Sequence, residues 1–214
     1  MKRRRSYSDK YSKNMLLVPA VFFGIILVIC LVYNLFFLKV NTEGGTVYKC
    51  NDHVFSFVTK ITITKDGKDF GTVKGDHIRF FTDPLSYKGN DGTTAKASDS
   101  YNLITQDDHD IMVNGNYIYT MRGDFGFFQD KYTILNESGA ELATIKTGMF
   151  STHFDMVSNT GTVIATFYRP LLRRDYTVVI YDHRYTDEAV LLTFASFVSD
   201  RNADNTSSSS NNND

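Results

Sequence analysis

Few residues in this chain have types and spacings that could do chemistry. The densest ligand cluster is Asp107-Asp108-His109-Asp110, whose oxygens could hold a divalent cation. It lacks the glycine-centred spacing of a calcium loop and lies just before a strand pattern, so it reads as a solvated turn. The five histidines (His53, His77, His109, His153, His183) are scattered, and no two lie four apart as a helical metal pair requires. No Gly-x-Ser-x-Gly elbow occurs to support a Ser-His-Asp site of that type. No glycine-rich phosphate loop occurs either, and Gly123-Asp124-Phe125-Gly126 reads as a turn. No catalytic residue, metal or cofactor is assigned, and the chain is expected to be non-enzymatic.

One patch invites a binding role. Arg169, Arg173 and Arg174 flank Pro170-Leu171-Leu172, a basic and apolar loop. Such a loop could press on lipid headgroups or on a partner's acidic surface. The competing reading is a hairpin loop whose arginines pair with Asp175 and Asp187. Arg169, Arg173 and Arg174 are the candidate contact residues.

The element that would bring this patch to a surface is the stretch from Met15 to Leu38. It contains no Asp, Glu, Lys or Arg. At about 1.5 Å per residue, a helix of that length covers the roughly 30 Å hydrocarbon core of a bilayer. A helix is also the one single-segment structure that satisfies its own backbone there. Pro19 falls in the first turns, where a missing N–H costs least. The run is too long for a cleaved signal peptide, and no small-x-small cleavage site follows it. Ile29 before Cys30 is wrong for a lipoprotein signal. Residues 15–38 are therefore predicted to be an uncleaved signal anchor.

Residues 1–14 carry six bases (Lys2, Arg3, Arg4, Arg5, Lys10, Lys13) against one acid, Asp9. Beside an apolar helix such a run sets topology rather than nuclear targeting. It holds the amino terminus in the cytoplasm and places the rest outside. Setting the tail aside leaves 17 Lys and Arg against 23 Asp and Glu, a net of −6. An acidic outer domain argues against nucleic acid as a partner. Only Cys30 and Cys50 exist, so the outer domain contains no internal disulfide.

Beyond a short linker, 39–46, residues 47–200 read as one β domain. Phe55, Phe57, Thr59, Ile61 and Ile63 alternate with polar residues at period two. Turn signals recur at Asp66-Gly67, Asn90-Asp91-Gly92, Asn114-Gly115, Ser138-Gly139 and Thr160-Gly161. After the glycine a pattern repeats, Gly-x-x-Φ-x-Thr-Φ with Φ apolar. Its copies are Gly67/Phe70/Thr72/Val73, Gly115/Ile118/Thr120/Met121, Gly139/Leu142/Thr144/Ile145 and Gly161/Ile164/Thr166/Phe167. Each reads as strand, tight turn, strand, and such hairpins must pair into a curved or closed sheet to bury their apolar faces. Between Asp83 and Asn102 the regularity weakens, and a long loop with a short edge strand is expected. Tyr176, Val178 and Ile180 form a further strand, apolar on both faces because of Val179 and Tyr181.

From Asp187 to Val198 the pattern becomes helical, with acids at the start and apolar residues nearly all the way round. Such a helix is buried on every side and too short to cross a bilayer. Residues 201–214 are Asn-, Asp- and Ser-rich and are predicted to be a disordered tail.

Tandem hairpin units (Tyr132–Ile145, Phe154–Phe167), the strand at Tyr176–Asp182 and the apolar helix Glu188–Val198 resemble the LURP-one-related and tubby-like family, a group that phospholipid scramblases also resemble. The resemblance implies a closed antiparallel barrel of hairpin repeats, twelve strands wrapped around a central apolar carboxy-terminal helix. It departs from the family in topology. The eukaryotic members are cytosolic phosphoinositide binders, whereas the charge rule places this domain outside the cytoplasm. None of their lipid-binding basic residues is carried over to this sequence.

Two functions follow as expectations. The first is a single-pass membrane-anchored β-barrel module that binds a lipid, a peptide or a membrane-protein partner. The second is an accessory subunit of a larger membrane assembly.

Overall fold

The computed structural model describes residues 19, 21–32, 40–53, 58–76, 85–100, 108–125, 129–148, 152–170 and 173–209. The chain divides into two compact units, Met1–Val40 and Asn41–Asp214. In the first, residues 21–32 form a helix, α1, whose apolar side chains are exposed, Phe22 and Phe23 by 67% and 72%. Among the described residues no helix is long and apolar enough to cross a membrane. The span expected over 15–38 is thus described only at Pro19 and within α1, and the basic residues 1–14 lie outside the described residues.

The second unit is a closed antiparallel barrel of twelve strands in simple sequence order. They are β1 (Thr46–Asp52), β2 (Val58–Lys65), β3 (Lys68–Asp76), β4 (Leu85–Gly89), β5 (Thr94–Ser100) and β6 (Asp108–Val113). The circuit continues with β7 (Asn116–Phe125), β8 (Gln129–Leu135), β9 (Glu141–Gly148), β10 (His153–Ser158), β11 (Val163–Tyr168) and β12 (Tyr176–Ile180). Pairing of β1 with β12, Thr46 opposite Ile180, closes the sheet and removes its free edges. Period-two alternation puts Lys60, Lys74, Lys88, Lys96 and Lys146 outside and Ile61, Val73, Tyr87, Ala97 and Ile145 inside.

The repeat has a structural meaning that its spacing alone does not reveal. In each of its four hairpins the register slips by one residue, and the residue skipped on the second strand is the first Φ of the motif. Ile63 faces Gly71 and Thr64 faces Asp69, which leaves Phe70 as the bulge. Ile118, Leu142 and Ile164 are skipped in the same way. The glycine of each turn has positive φ, +75 to +83°, which a side chain with a Cβ resists. After the bulge the threonine faces outward and the second Φ faces the core, where Val73, Met121, Ile145 and Phe167 are at most 1% exposed. Bulged carbonyls also bind the neighbouring strand connection. Phe70 accepts from Asn90 N at 3.1 Å, Leu142 from Asn159 N at 3.0 Å and Ile164 from Tyr181 N at 2.8 Å. The motif therefore encodes turn, bulge and inward anchor together.

Through the barrel runs α2, Asp187–Ser209, with every residue from Ala189 to Val198 buried. It lies nearest β4, β5 and β6, where Ala95 and Ala97 of β5 leave room for its approach. On the far side large rings fill the wider gap. Phe194 and Phe197 meet Phe154 and Phe167 at centroid distances of 4.6–6.0 Å, and Phe197 meets Tyr132 edge-on at 5.3 Å. A helix surrounded by sheet needs no polar face, which is why the buried stretch Ala189–Val198 shows none.

Several sequence expectations are corrected. The long loop expected over 83–102 contains two full strands, β4 and β5, joined at Asn90-Asp91-Gly92. They were hidden because β5 lines the core with alanines, which carry little hydrophobic signal. Gly123, Asp124 and Phe125, read as a turn, continue β7 opposite Tyr132, Lys131 and Asp130; Gly126 lies outside the described residues. The linker expected at 39–46 belongs to the barrel unit from Asn41 onward. The helix runs on to Ser209, through most of the stretch expected to be a disordered tail; 210–214 lie outside the described residues. Phe55 and Phe57 also fall outside them, while Thr59, Ile61 and Ile63 line the core as expected.

Candidate functional site

Polar groups converge where α2 begins. The tight turns and the start of α2 share one end of the barrel, because every even-to-odd strand connection and the β12–α2 connection return there. At that end Asp187 accepts two hydrogen bonds and faces one cation. The Tyr48 hydroxyl of β1 donates to Oδ2, His183 Nδ1 donates to Oδ1 at 2.6 Å, and Lys65 Nζ lies 3.9 Å from Oδ2. Lys65 also sits over the rings of Tyr48 and Phe70, 5.2 and 5.8 Å from their centroids. With Nδ1 donating to Asp187, neutral His183 accepts at Nε2, and the Thr46 hydroxyl stands 3.3 Å away.

Thr46, His183 and Asp187 thus stand in the order hydroxyl, imidazole, carboxylate, an arrangement that can draw a proton from an alcohol. The surroundings weigh against such use. The Asp187 carboxylate is already engaged by the Tyr48 hydroxyl and the Lys65 ammonium as well as by His183. The same contacts tie β1, the end of β2 and the β12–α2 connection to the first turn of α2, where an acid also complements the helix dipole. The cluster is best understood as the latch that fixes how α2 enters the barrel.

Burial shapes its ionisation. Desolvation, then the Asp187 contact, holds the Tyr48 phenol well above its ordinary range. Burial likewise raises the carboxyl of half-buried Glu188, with the charges of Asp187 and Asp91 adding to the effect. Asp91 is held low by the Thr93 backbone N–H and hydroxyl, both at 2.9 Å. Sequence reading missed this cluster because Thr46 and His183 are far apart in the chain. The one local signal was His183 four residues before Asp187.

The Asp107–Asp110 cluster does not converge. Asp108 is buried against Arg122, whose Nε and Nη2 lie 3.0–3.2 Å from its oxygens. Asp110 accepts from the Thr120 hydroxyl at 2.5 Å. His109 lies on the opposite face of β6, and Asp107 is outside the described residues. Among the described residues no group of three or more His, Cys, Asp or Glu could hold a metal.

Arg169, Arg173 and Arg174 come together on the β11–β12 connection. Arg169 is half-buried, and its Nε donates to the Arg173 carbonyl at 3.3 Å, bracing the loop. Arg173 and Arg174 are exposed, and among the described residues neither forms an ion pair with Asp175 or Asp187. Leu171 and Leu172 lie outside the described residues.

The outer wall of the same two strands holds the start of the barrel unit. The Tyr181 hydroxyl donates to the Asn41 carbonyl at 2.9 Å, and Gly45 packs so closely on Val179 and Tyr181 that a Cβ would overlap both. Tyr168 lies near enough to Tyr181 and the Asn41 backbone for both to bear on its ionisation, which burial raises. This covering segment explains why Val179, an outward residue of β12, is fully buried. His153 stacks on Tyr168 at 5.5 Å beside it. No protein family, curated protein or solved structure matches the chain.

Proposed function

We propose that this chain is a single-pass membrane protein whose barrel is a non-enzymatic module displayed at the membrane surface, of the LURP-one-related and tubby-like kind. The observation that carries the reading is α1. Its side chains Val21, Phe22, Phe23, Ile25, Val28 and Ile29 are each more than half exposed, an apolar surface that a water-soluble protein would cover. Lipid is the natural cover for a stretch that lacks charge from Met15 to Leu38. The barrel's interior is taken up by α2, so recognition falls to its outer surface. The six bases before the apolar stretch favour an external barrel.

Alkaline carbonate washing of membranes tests this reading. The full chain should remain in the pellet, and a chain beginning at Asn41 should be released. Release of the full chain would overturn the membrane assignment.

A further inference from the structure

Two outward rows of side chains cross β2–β5 in register. One is Lys60–Lys74–Ser86–Lys96; the next, two residues along each strand, is Thr62–Thr72–Lys88–Thr94. Every position in this block is a lysine, a threonine or a serine, with no acid and no apolar residue among them. All four lysines are exposed, and among the described residues none of them forms an ion pair. Lys60 stands directly opposite Lys74, and like charges so placed work against the sheet. Beyond residue 14 the chain carries 17 Lys and Arg against 23 Asp and Glu, so the block reverses the sign of the domain around it. An anion laid among the ammonium groups would relieve their repulsion.

The composition of the block narrows what could cover it. A folded partner buries an apolar patch at the centre of its interface, and this block offers none. Single-stranded nucleic acid stacks its bases on aromatic faces, and none stands here. What fits is an extended, hydrophilic polyanion. Spacing favours polypeptide, because the two rows lie about 6.8 Å apart along the strands and an extended peptide repeats its same-side groups at that interval. Across the strands the block spans about 14 Å, which sets Lys60 and Lys74 on one flank of such a peptide and Lys96 on the other.

We infer that this β2–β5 wall is a docking surface for an extended acidic peptide, with Lys60, Lys74, Lys88 and Lys96 as its cationic contacts. The inference rests on the reading that the barrel binds through its outer surface, and it stands apart from the membrane assignment.

The test uses the full chain in nonionic detergent and an alternating Glu-Ser peptide that carries a fluorescence quencher, with the Gln-Ser peptide as its neutral control. Cys30→Ser removes one thiol, and Cys50, 1% exposed, stays unlabelled. A dye is placed at Thr94→Cys, inside the block, or at Glu137→Cys, in the exposed β8–β9 turn. The Glu-Ser peptide should quench the dye at 94 and hardly affect the dye at 137, and the response at 94 should weaken as salt is raised. Lys60→Gln, Lys74→Gln, Lys88→Gln and Lys96→Gln together should weaken binding by roughly twofold to threefold per lysine. The same four positions changed to Arg should retain it, and circular dichroism should show both variants folded. Equal quenching at the two positions, an equal response to the Gln-Ser peptide, or affinity indifferent to the Gln changes would overturn the docking surface. Quenching confined to 137 would also overturn it, while leaving recognition on the barrel's outer surface. Tighter lysine-dependent binding of inorganic polyphosphate or of phosphatidylglycerol vesicles would overturn the acidic peptide as the occupant.

Discussion

The Tyr119 hydroxyl of β7 meets Thr193 Oγ1 of α2 at 2.8 Å in the buried centre of the barrel. Thr193 also donates to the Ala189 carbonyl at 2.9 Å, so Tyr119 must be the donor to Thr193. This hydrogen bond ties wall to helix inside the barrel. Thr193→Val would strand the tyrosine hydroxyl and should cost about 1–3 kcal/mol. Adding Tyr119→Phe should recover part of that loss, as a denaturant double-mutant cycle would measure. Additive losses would mean the two groups do not bond.

The helix is the core of the barrel, so charge within it should be ruinous. Leu191 is fully buried, and Leu191→Asp would leave an unpaired carboxylate there. The expected loss is about 4 kcal/mol or more, which unfolds a domain of ordinary stability. Circular dichroism on heating would reveal it. Near-native melting would contradict the central placement of α2.

A glycine on the barrel's inner face carries a third expectation. A Cβ on Gly71 would come within 2.4–2.6 Å of the Tyr87 ring. Gly71→Ala should therefore cost about 1–3 kcal/mol by overpacking. Tyr87→Leu should relieve the clash, so the double variant should melt closer to the parent than the two losses summed.

These cases mark what could be read from the residues and what could not. Turn glycines and the threonine register were legible because each depends on local backbone geometry and period-two alternation. The bulge at Phe70, Ile118, Leu142 and Ile164 was not, because a skipped residue shows only in the pairing with the other strand. β5 escaped notice because alanines facing an off-centre helix look like loop. The all-round apolar face of α2 was legible as burial. The latch of Thr46, His183 and Asp187 was not, since its members meet only when the barrel closes.

Glu188 gives the barrel a pH dependence. Its carboxyl titrates higher in the folded chain than in the unfolded one, through burial first and the neighbouring acids second. The folded state thus holds more protons between those two values, and stability falls as pH rises through that window. Glu188→Gln should flatten this slope and raise the melting temperature at neutral pH relative to the parent. An unchanged slope between mildly acidic and neutral pH would show that Glu188 is not the group responsible.

The topology of the barrel can be measured most directly with one exposed thiol. Glu137 lies exposed in the tight β8–β9 turn, Cys50 is buried, and Cys30→Ser removes the remaining thiol. In intact cells expressing the full chain with Glu137→Cys, a membrane-impermeant thiol reagent should label the protein without permeabilisation. Labelling only after permeabilisation would place the barrel in the cytoplasm and contradict the account of an anchored, externally displayed module.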